Sequence, residues 1–409
     1  MNLSRLTALV ASIVLASTVN AQNAKNNFRI RTITAGVSLK SLGDTMAITD
    51  AILFLKRAEK EFTSQGYEVQ TLRVSTQNFY LYSGELSHTQ TLAALAIIDR
   101  IAGRNKIRIS IGQVLSPDQS DPSISAWAAQ LLRETQNIYF SISIASHEKG
   151  IHKKSISTAA EMMIALSTIG SDGEQNFHFT ASANCPAGIP FFPAAFHEGS
   201  KSFALGLELP NLLTEVFSTT QNPRKDLKDA LEKNLKPVQA IAENIEKESH
   251  WPYSGIDVSP APGLDASIGR SIETLTGQPF GSPSTLSACA LITDVLKNLD
   301  VRKCGYSGLM LPVIEDQVLA QRADEGRYTV QELLLYSSVS GTGLDVILLP
   351  GNTPKEALER ILTDVASLSL KYTAKALSAR FFLIPGKNAG DRVEFKNKSL
   401  APSRVMKLD

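Results

Sequence analysis

The sequence predicts an α/β fold, and within that class a ten-stranded α/β barrel built as a single large domain. Three observations carry the prediction. About ten strand-like runs alternate with helical ones through a chain of 409 residues. No Pro/Gly linker, low-complexity tract or internal repeat divides them. Several strands alternate polar and apolar residues, where an open α/β sheet covered on both faces carries apolar runs. A barrel with helices outside and a polar lumen fits all three. A sheet with one face in water fits the alternation too, but leaves the helical segments less well used.

Taken in order, residues 28–34, 67–75, 106–111, 138–144 and 176–183 read as strands, followed by 202–208, 255–258, 306–312, 344–349 and 377–384. Between them, Leu55, Ala58 and Phe62 share one helical stripe. Ala357, Ile361 and Leu368 share another after the Thr353-Pro354 start signal. Arginine recurs at the polar strand positions. Arg31 alternates with Ile30, Arg73 with Leu72 and Val74, Arg108 with Ile107 and Ile109, and Arg380 with Ala379 and Phe381. Tyr139, Ser141 and Ser143 fill the same role in 138–144, as do His178 and Thr180 in 176–183.

A barrel of about ten strands is wider than an eight-stranded one, whose side chains just fill the interior. Buried guanidinium groups are costly unless paired or bound to an anion, and their fork suits carboxylate and phosphate. Arg31, Arg73, Arg108 and Arg380 are therefore candidate binding residues for a small anionic molecule. Ordinary arginines on a solvated face are the plainer alternative.

Residues 1–21 read as a secretory signal peptide: Arg5 precedes an apolar run from Leu6 to Ala16, and Val19-Asn20-Ala21 offers a small-x-small cleavage site. The run is shorter than the ~20 residues of a membrane anchor. A periplasmic or secreted chain starting at Gln22 follows, with the barrel domain filling 22–409. Loss of Arg5 takes 41 basic residues to 40, against 40 acidic ones. That neutrality, with no Lys/Arg block, argues against nucleic acid as a partner. No second apolar segment reaches spanning length. Of three cysteines, Cys185, Cys289 and Cys304, at least one is free or paired between chains. A Cys289–Cys304 bridge and no bridge at all both fit.

Motifs with chemistry are few. His147 and His152 flank Glu148 but stand five apart, not the four that stacks two zinc ligands on one helical face, so no metal site is expected. Ser146 to Lys149 matches Ser-x-x-Lys without its companion motifs. Cys185-Pro186-Ala187-Gly188-Ile189-Pro190 reads as a rigid irregular loop that can present His197 as a general acid or base, or bury it as a packed histidine. Asp257 ends a strand and is a candidate partner for His197 or Cys304. Glu315 and Asp316 suit a helix cap equally well. The small-residue loops 281–285 and 304–308 can meet an anion with backbone N–H groups, or simply turn the chain.

Several ordered segments carry a family resemblance. They are Ile256-Asp257-Val258-Ser259-Pro260, Phe280-Gly281-Ser282-Pro283, Cys304-Gly305-Tyr306-Ser307-Gly308-Leu309-Met310-Leu311-Pro312, Gly343-Leu344-Asp345 and Ile384-Pro385-Gly386-Lys387-Asn388. With Ile30 to Thr34 and Pro193 to His197, they resemble the domain-of-unknown-function 711 family over nearly all of the chain beyond the leader. That family is uncharacterised and is similar in fold to the pyruvate formate-lyase and ribonucleotide reductase superfamily, which implies a barrel of two five-stranded halves. Cys304 matches a thiyl-like loop position. The glycyl-radical motif is missing, since Arg392-Val393-Glu394-Phe395 has no glycine. The expected function is therefore ionic: an exported enzyme acting on a small anionic metabolite, with His197 moving protons, Cys304 or Asp257 assisting, and the strand arginines orienting substrate. A ligand-binding protein that keeps the fold without the chemistry is the second expectation. The superfamily analogy also implies a homodimer, and the cofactor, if any, is left open by the sequence.

Overall fold

Capping and apolar spacing place a helix after nearly every strand of the first half. β1 (Arg29–Val37) is followed by α1 (Thr45–Ser64), whose Ile48, Ala51, Leu55, Ala58 and Phe62 form one buried stripe. Asp44 caps α1 by accepting from the Ala47 N–H. β2 (Leu72–Thr76) leads to α2 (His88–Asn105), which starts on a Ser87–Gln90 capping box and stops at Lys106 in the left-handed region. β3 (Ile107–Gln113), α3 (Ile124–Glu134), β4 (Ile138–Ser146), the short β5 (Gly150–Ile151), α4 (Lys153–Ser167) and β6 (Phe179–Ala183) complete this half.

The second half runs β7 (Lys201–Glu208), α5 (Pro210–Thr219), α6 (Pro223–Ser249) and β8 (Tyr253–Pro260). Four short helices follow: α7 (Ile268–Thr276), α8 (Thr285–Lys297), α9 (Gln317–Asp324) and α10 (Val330–Ser337). β9 (Gly343–Pro350), α11 (Lys355–Leu370) and β10 (Leu377–Ile384) return to the sheet, and β11 (Arg392–Val393) pairs with β12 (Ser403–Arg404) apart from it. This computed structural model describes residues 27–371 and 375–408. The expected leader lies outside them. Among the described residues no helix is long and apolar enough to cross a membrane.

One ten-stranded, mostly parallel sheet takes strands from the whole described chain, in the order β8-β7-β1-β2-β3-β4-β6-β10-β9 with β5 beside β4. β1, β2, β3, β4 and β6 are mutually parallel, as are β7 with β8 and β9 with β10. The two sets meet antiparallel, β1 against β7 and β6 against β10. The ladder is open, with β8 and β9 as its edges. Between those edges runs the 303–312 segment, which makes single parallel bridges, Lys303 to Ile256 of β8 and Pro312 to Asp345 of β9.

Nine of the ten expected strands form, and the strand expected at 306–312 does not. Its backbone is claimed by side chains instead. The Asp257 carboxylate accepts the N–H of Tyr306 at 2.8 Å and of Ser307 at 2.9 Å, and Ser259 Oγ accepts that of Gly308 at 3.1 Å. Ser307 sits at φ 43°, outside strand geometry. Two expected strands start late: 67–75 is continuous strand only from Leu72, preceded by a single parallel bridge from Val69 to Ile30, and 176–183 opens with a 3₁₀ turn over Glu174–His178.

Most of the polar strand positions are not in water, Arg108 being exposed. Thr34, Ser75, Ser110, Ser141, Thr180 and Ser182 are all buried. Residues 184–200, joining β6 to β7, cover part of this face: Thr34 Oγ1 donates to the Pro190 carbonyl and Ser110 Oγ to that of Ala195, while Phe191 lies on Gly206. The expected wide polar lumen is thus largely filled. Ile189, Phe191, Ala261 and Met310 form a small apolar cluster separate from the main core. Physically, Thr34 and Ser110 bind the loop's carbonyls, and the loop's Ile189 and Phe191 pack with Ala261 and Met310.

All three cysteines are free thiols, and Cys289 is buried on α8. Adding a reductant is therefore expected to leave the thermal midpoint unchanged to within about 1 °C, because no cross-link restrains the unfolded chain. A drop of several degrees in a scanning-calorimetry pair would reveal a bridge.

Candidate anion-binding site

Polar strand ends converge on one cavity of about 70 Å³. Its wall includes Arg31 of β1, Arg73 of β2, Arg108 of β3, Tyr139 of β4, Asp345 of β9 and Arg380 of β10, with Tyr306 and Glu315 from the stretch between β8 and β9. All four arginines singled out in the sequence are brought together here. Their states differ.

Arg380 is buried and saturated. Its Nε donates to Asp345 Oδ1 at 2.7 Å and its Nη2 to Glu315 Oε1 at 2.7 Å, while the guanidinium lies 4.7 Å from the Phe177 ring centre. Arg31 donates to Gln70 at 3.1 Å and has Glu208 and Glu315 at 3.7 and 3.8 Å. Glu208 is mainly engaged by Arg29, at 2.8 Å.

Arg73 is the exception. It is 6% exposed, yet no carboxylate lies within 4.0 Å of it among the described residues. Its Nε donates to Thr71 Oγ1 at 3.2 Å, and the guanidinium sits 5.1 Å from the centre of the Phe192 ring. Burial, with Arg108 and Arg31 nearby, brings its pKa down to about 9. Arg108 is its register partner on β3, is exposed, and likewise has no carboxylate partner among the described residues. Period-two geometry puts both on the same face of adjacent strands, with their forks toward the cavity.

Tyr139 closes this side, stacked on His178 with ring centres 4.5 Å apart and 5.3 Å from Phe192. Burial drives the His178 pKa down to about 4, against the pull of the Ile138 carbonyl at 2.8 Å. This histidine stays neutral in the folded state, where the unfolded chain takes up a proton near pH 6.5. Stability is therefore retained above about pH 6.5 and lost as pH falls toward 4, by up to about 3 kcal/mol. Urea titrations of wild type and His178→Gln test this: the variant is expected to lack that part of the acid slope.

The other sequence candidates lie elsewhere. The backbone N–H of His197 donates to the Thr76 carbonyl, and its ring covers Gly36, where a Cβ would meet Nδ1 at 2.2 Å. Gly36 is five residues beyond Arg31 along β1, roughly 16 Å at strand spacing. The ring is buried with no partner at Nε2 among the described residues, and burial lowers its pKa. Cys304 bonds through its backbone to Ile256, and burial with Asp257 nearby pushes its thiol well up. Neither residue lines the cavity. Asp257 is wholly buried, and Oδ1 also accepts from the Ser259 hydroxyl at 2.6 Å and N–H at 3.1 Å.

His147 to Lys149 is an exposed turn joining β4 and β5, while His152 points inward. Of the two possible caps, Asp316 starts α9 by accepting from Val318 and Leu319 N–H groups. Glu315 turns into the cavity instead. Sequence reading alone missed Glu315 and Asp345 as partners of Arg380. An acid at the third position of β9, across from an arginine on β10, was the available signal.

A family model described as "Uncharacterised ACR (DUF711)" matches residues 23–398. The chain belongs to the DUF711 family. Among curated DUF711-like relatives, a UPF0210 protein of Pyrobaculum aerophilum is 26% identical over 383 residues, covering 86% of this chain and 82% of its own. One from Carboxydothermus hydrogenoformans is 25% identical over 402 residues, covering 91% and 89%. A third, from Methanocorpusculum labreanum, is 26% identical over 405 residues, covering 90% and 88%. The family match spans every cavity residue named above.

Proposed function

We propose that this DUF711 protein binds a small anion, a carboxylate or phosphate, between Arg73 and Arg108. The observation that carries the reading is a buried guanidinium with no carboxylate to balance it. Such a charge is costly unless a ligand supplies the counter-charge. The cavity of about 70 Å³ holds roughly five to seven waters' worth of space at ~10–15 Å³ each, which suits a small molecule.

In this reading the sheet curls into a ten-staved barrel of the pyruvate formate-lyase type. The 303–312 segment is the tenth stave, and the antiparallel joints mark the seams between two five-stave halves. Two features support it: the bridges from Lys303 and Pro312 to the two edge strands, and a cavity wall drawn from both halves. Binding without turnover is favoured over catalysis, because His197 stands at the far end of β1 and Asp257 spends both oxygens on backbone and Ser259. The protein acts after export, with its leader cut near Ala21. An intact mass starting at Gln22 in the exported fraction is the expected result, and a retained leader there would refute it.

Thermal stabilisation by phosphate and by short carboxylates tests the binding. A ligand at a hundredfold its Kd stabilises by about 2.7 kcal/mol. Wild type is expected to respond, and Arg73→Met to fold but lose the response. If Arg73→Met and Arg108→Met both respond like wild type, the anion site is wrong.

A further inference from the structure

We propose that the ligand of this site is a compact dianion, a phosphoryl group with little attached or a short dicarboxylate, and not a monoanion. The inference rests on the anion-binding reading and adds the ligand's charge and size.

The charge follows from how the wall is balanced. Four guanidinium groups face the cavity against two carboxylates, Glu315 and Asp345, a surplus of two positive charges. Arg380 engages both oxygens of Asp345, at 2.7 and 3.1 Å, and Oε1 of Glu315, so Asp345 is fully engaged and only Oε2 of Glu315 is left for the other side. Arg31 reaches only the second oxygen of Glu315 and one oxygen of Glu208, each beyond 3.5 Å. The unbalanced charges therefore fall on Arg73 and Arg108, which are Cα partners on adjacent parallel strands. A monoanion between them leaves one positive charge uncompensated beside buried Arg73, in a cavity whose lining includes Phe191, Phe192 and Met310, with Arg108 on its exposed side. A second negative charge removes the repulsion from Arg108, which adds to burial, the larger cause, in lowering the pKa of Arg73.

The size follows from the walls. About 70 Å³ is room for roughly five to seven heavy atoms, taking each as a water-sized sphere. A phosphoryl group or a three-carbon diacid fits. A nucleotide is too large for that space, whose wall includes Phe191 to Ala194.

The test holds pH fixed near 7.5, so that protein groups do not change state between ligands, and uses the full mature chain in calorimetric titrations. Methyl phosphate, whose second ionisation falls near pH 6, is there mostly a dianion, and dimethyl phosphate is a monoanion of similar shape. Malonate and acetate form the carboxylate pair. The dianion of each pair is expected to bind at least about tenfold tighter, a difference of ~1.4 kcal/mol. Arg108→Met, at an exposed position, is expected to shrink that preference below about threefold, because it cuts the surplus to one charge. Equal affinities within both pairs would overturn the dianion inference while leaving the anion site in place. Binding of adenosine monophosphate as tight as methyl phosphate would overturn the size limit. No binding of any of the four small ligands would overturn both this inference and the reading beneath it.

Discussion

Asp257→Ala is expected to cost about 3–5 kcal/mol of unfolding free energy, because one carboxylate does the work of a strand ladder. Asp257 receives four donors: the N–H groups of Ser259, Tyr306 and Ser307, and the Ser259 hydroxyl. Burial pushes its carboxyl pKa up, and those donors pull against the shift. Truncation leaves backbone N–H groups unsatisfied along the segment between β8 and β9, at ~1–3 kcal/mol for each that water cannot reach. Asp257→Asn keeps one acceptor but presents an NH₂ group, and is expected to cost about 2 kcal/mol. Gly305→Ala reports on the same contact from the other side. Gly305 has φ +64°, and a Cβ there would stand 2.1 Å from Asp257 Oδ2. Its loss is expected to match that of Asp257→Ala, with little added in the double variant, since both break one junction. Urea midpoints for the three single variants and the double variant decide the matter. An Asp257→Ala protein within 1 kcal/mol of wild type would mean that the segment is held by something else.

The same junction shows where sequence reading succeeds and where it stops. Alternation located β1 to β4 and the arginines on them because period two is a local property: Arg73 and Arg108 must share a face once their strands pair in register. The 306–312 stretch has a similar apolar content, yet its backbone is satisfied by Asp257 and Ser259, nearly fifty residues earlier. Nothing local to 306–312 encodes that exchange. The filling of the polar face was illegible for the same reason, since Ser110 and Thr34 look identical whether they face water or the carbonyls of Ala195 and Pro190. His197 drew attention as a residue type. Its position over Gly36, away from the arginines, is a consequence of how the 184–200 connection crosses the sheet. Pairing is also non-local: Arg380 and Arg73 occupy equivalent strand positions, and only the three-dimensional neighbours make one a filled ion pair and the other an open site.

Arg380→Met makes that contrast measurable. Removing the guanidinium leaves Glu315 and Asp345 at 14% and 20% side-chain exposure, with only Arg31, 3.8 Å from Glu315, as a remaining cation and none on Asp345. Breaking a buried pair by deleting one partner typically costs about 3–5 kcal/mol, and that loss is expected at neutral pH. Arg73→Met removes an equally buried guanidinium but strands no carboxylate, so its stability is expected to equal or exceed wild type. The pH dependence separates the two causes. Burial raises the Asp345 pKa in the folded protein, and Arg380 is the main group holding it down. Without Arg380 the folded pKa climbs further above its unfolded value, so the folded state takes up a proton first as pH falls. The deficit is then full above the raised pKa and shrinks as pH drops through it toward the ordinary carboxylate range. Arg380→Met is therefore expected to lose most at about pH 7 and to recover part of the deficit by about pH 5. Arg380→Met with Asp345→Asn should recover a similar part at neutral pH, because it removes the stranded charge chemically instead of by protonation. A deficit that stays constant across this range, with no rescue in the double variant, would show that Arg380 contributes by packing on Phe177 and not by neutralising the two acids.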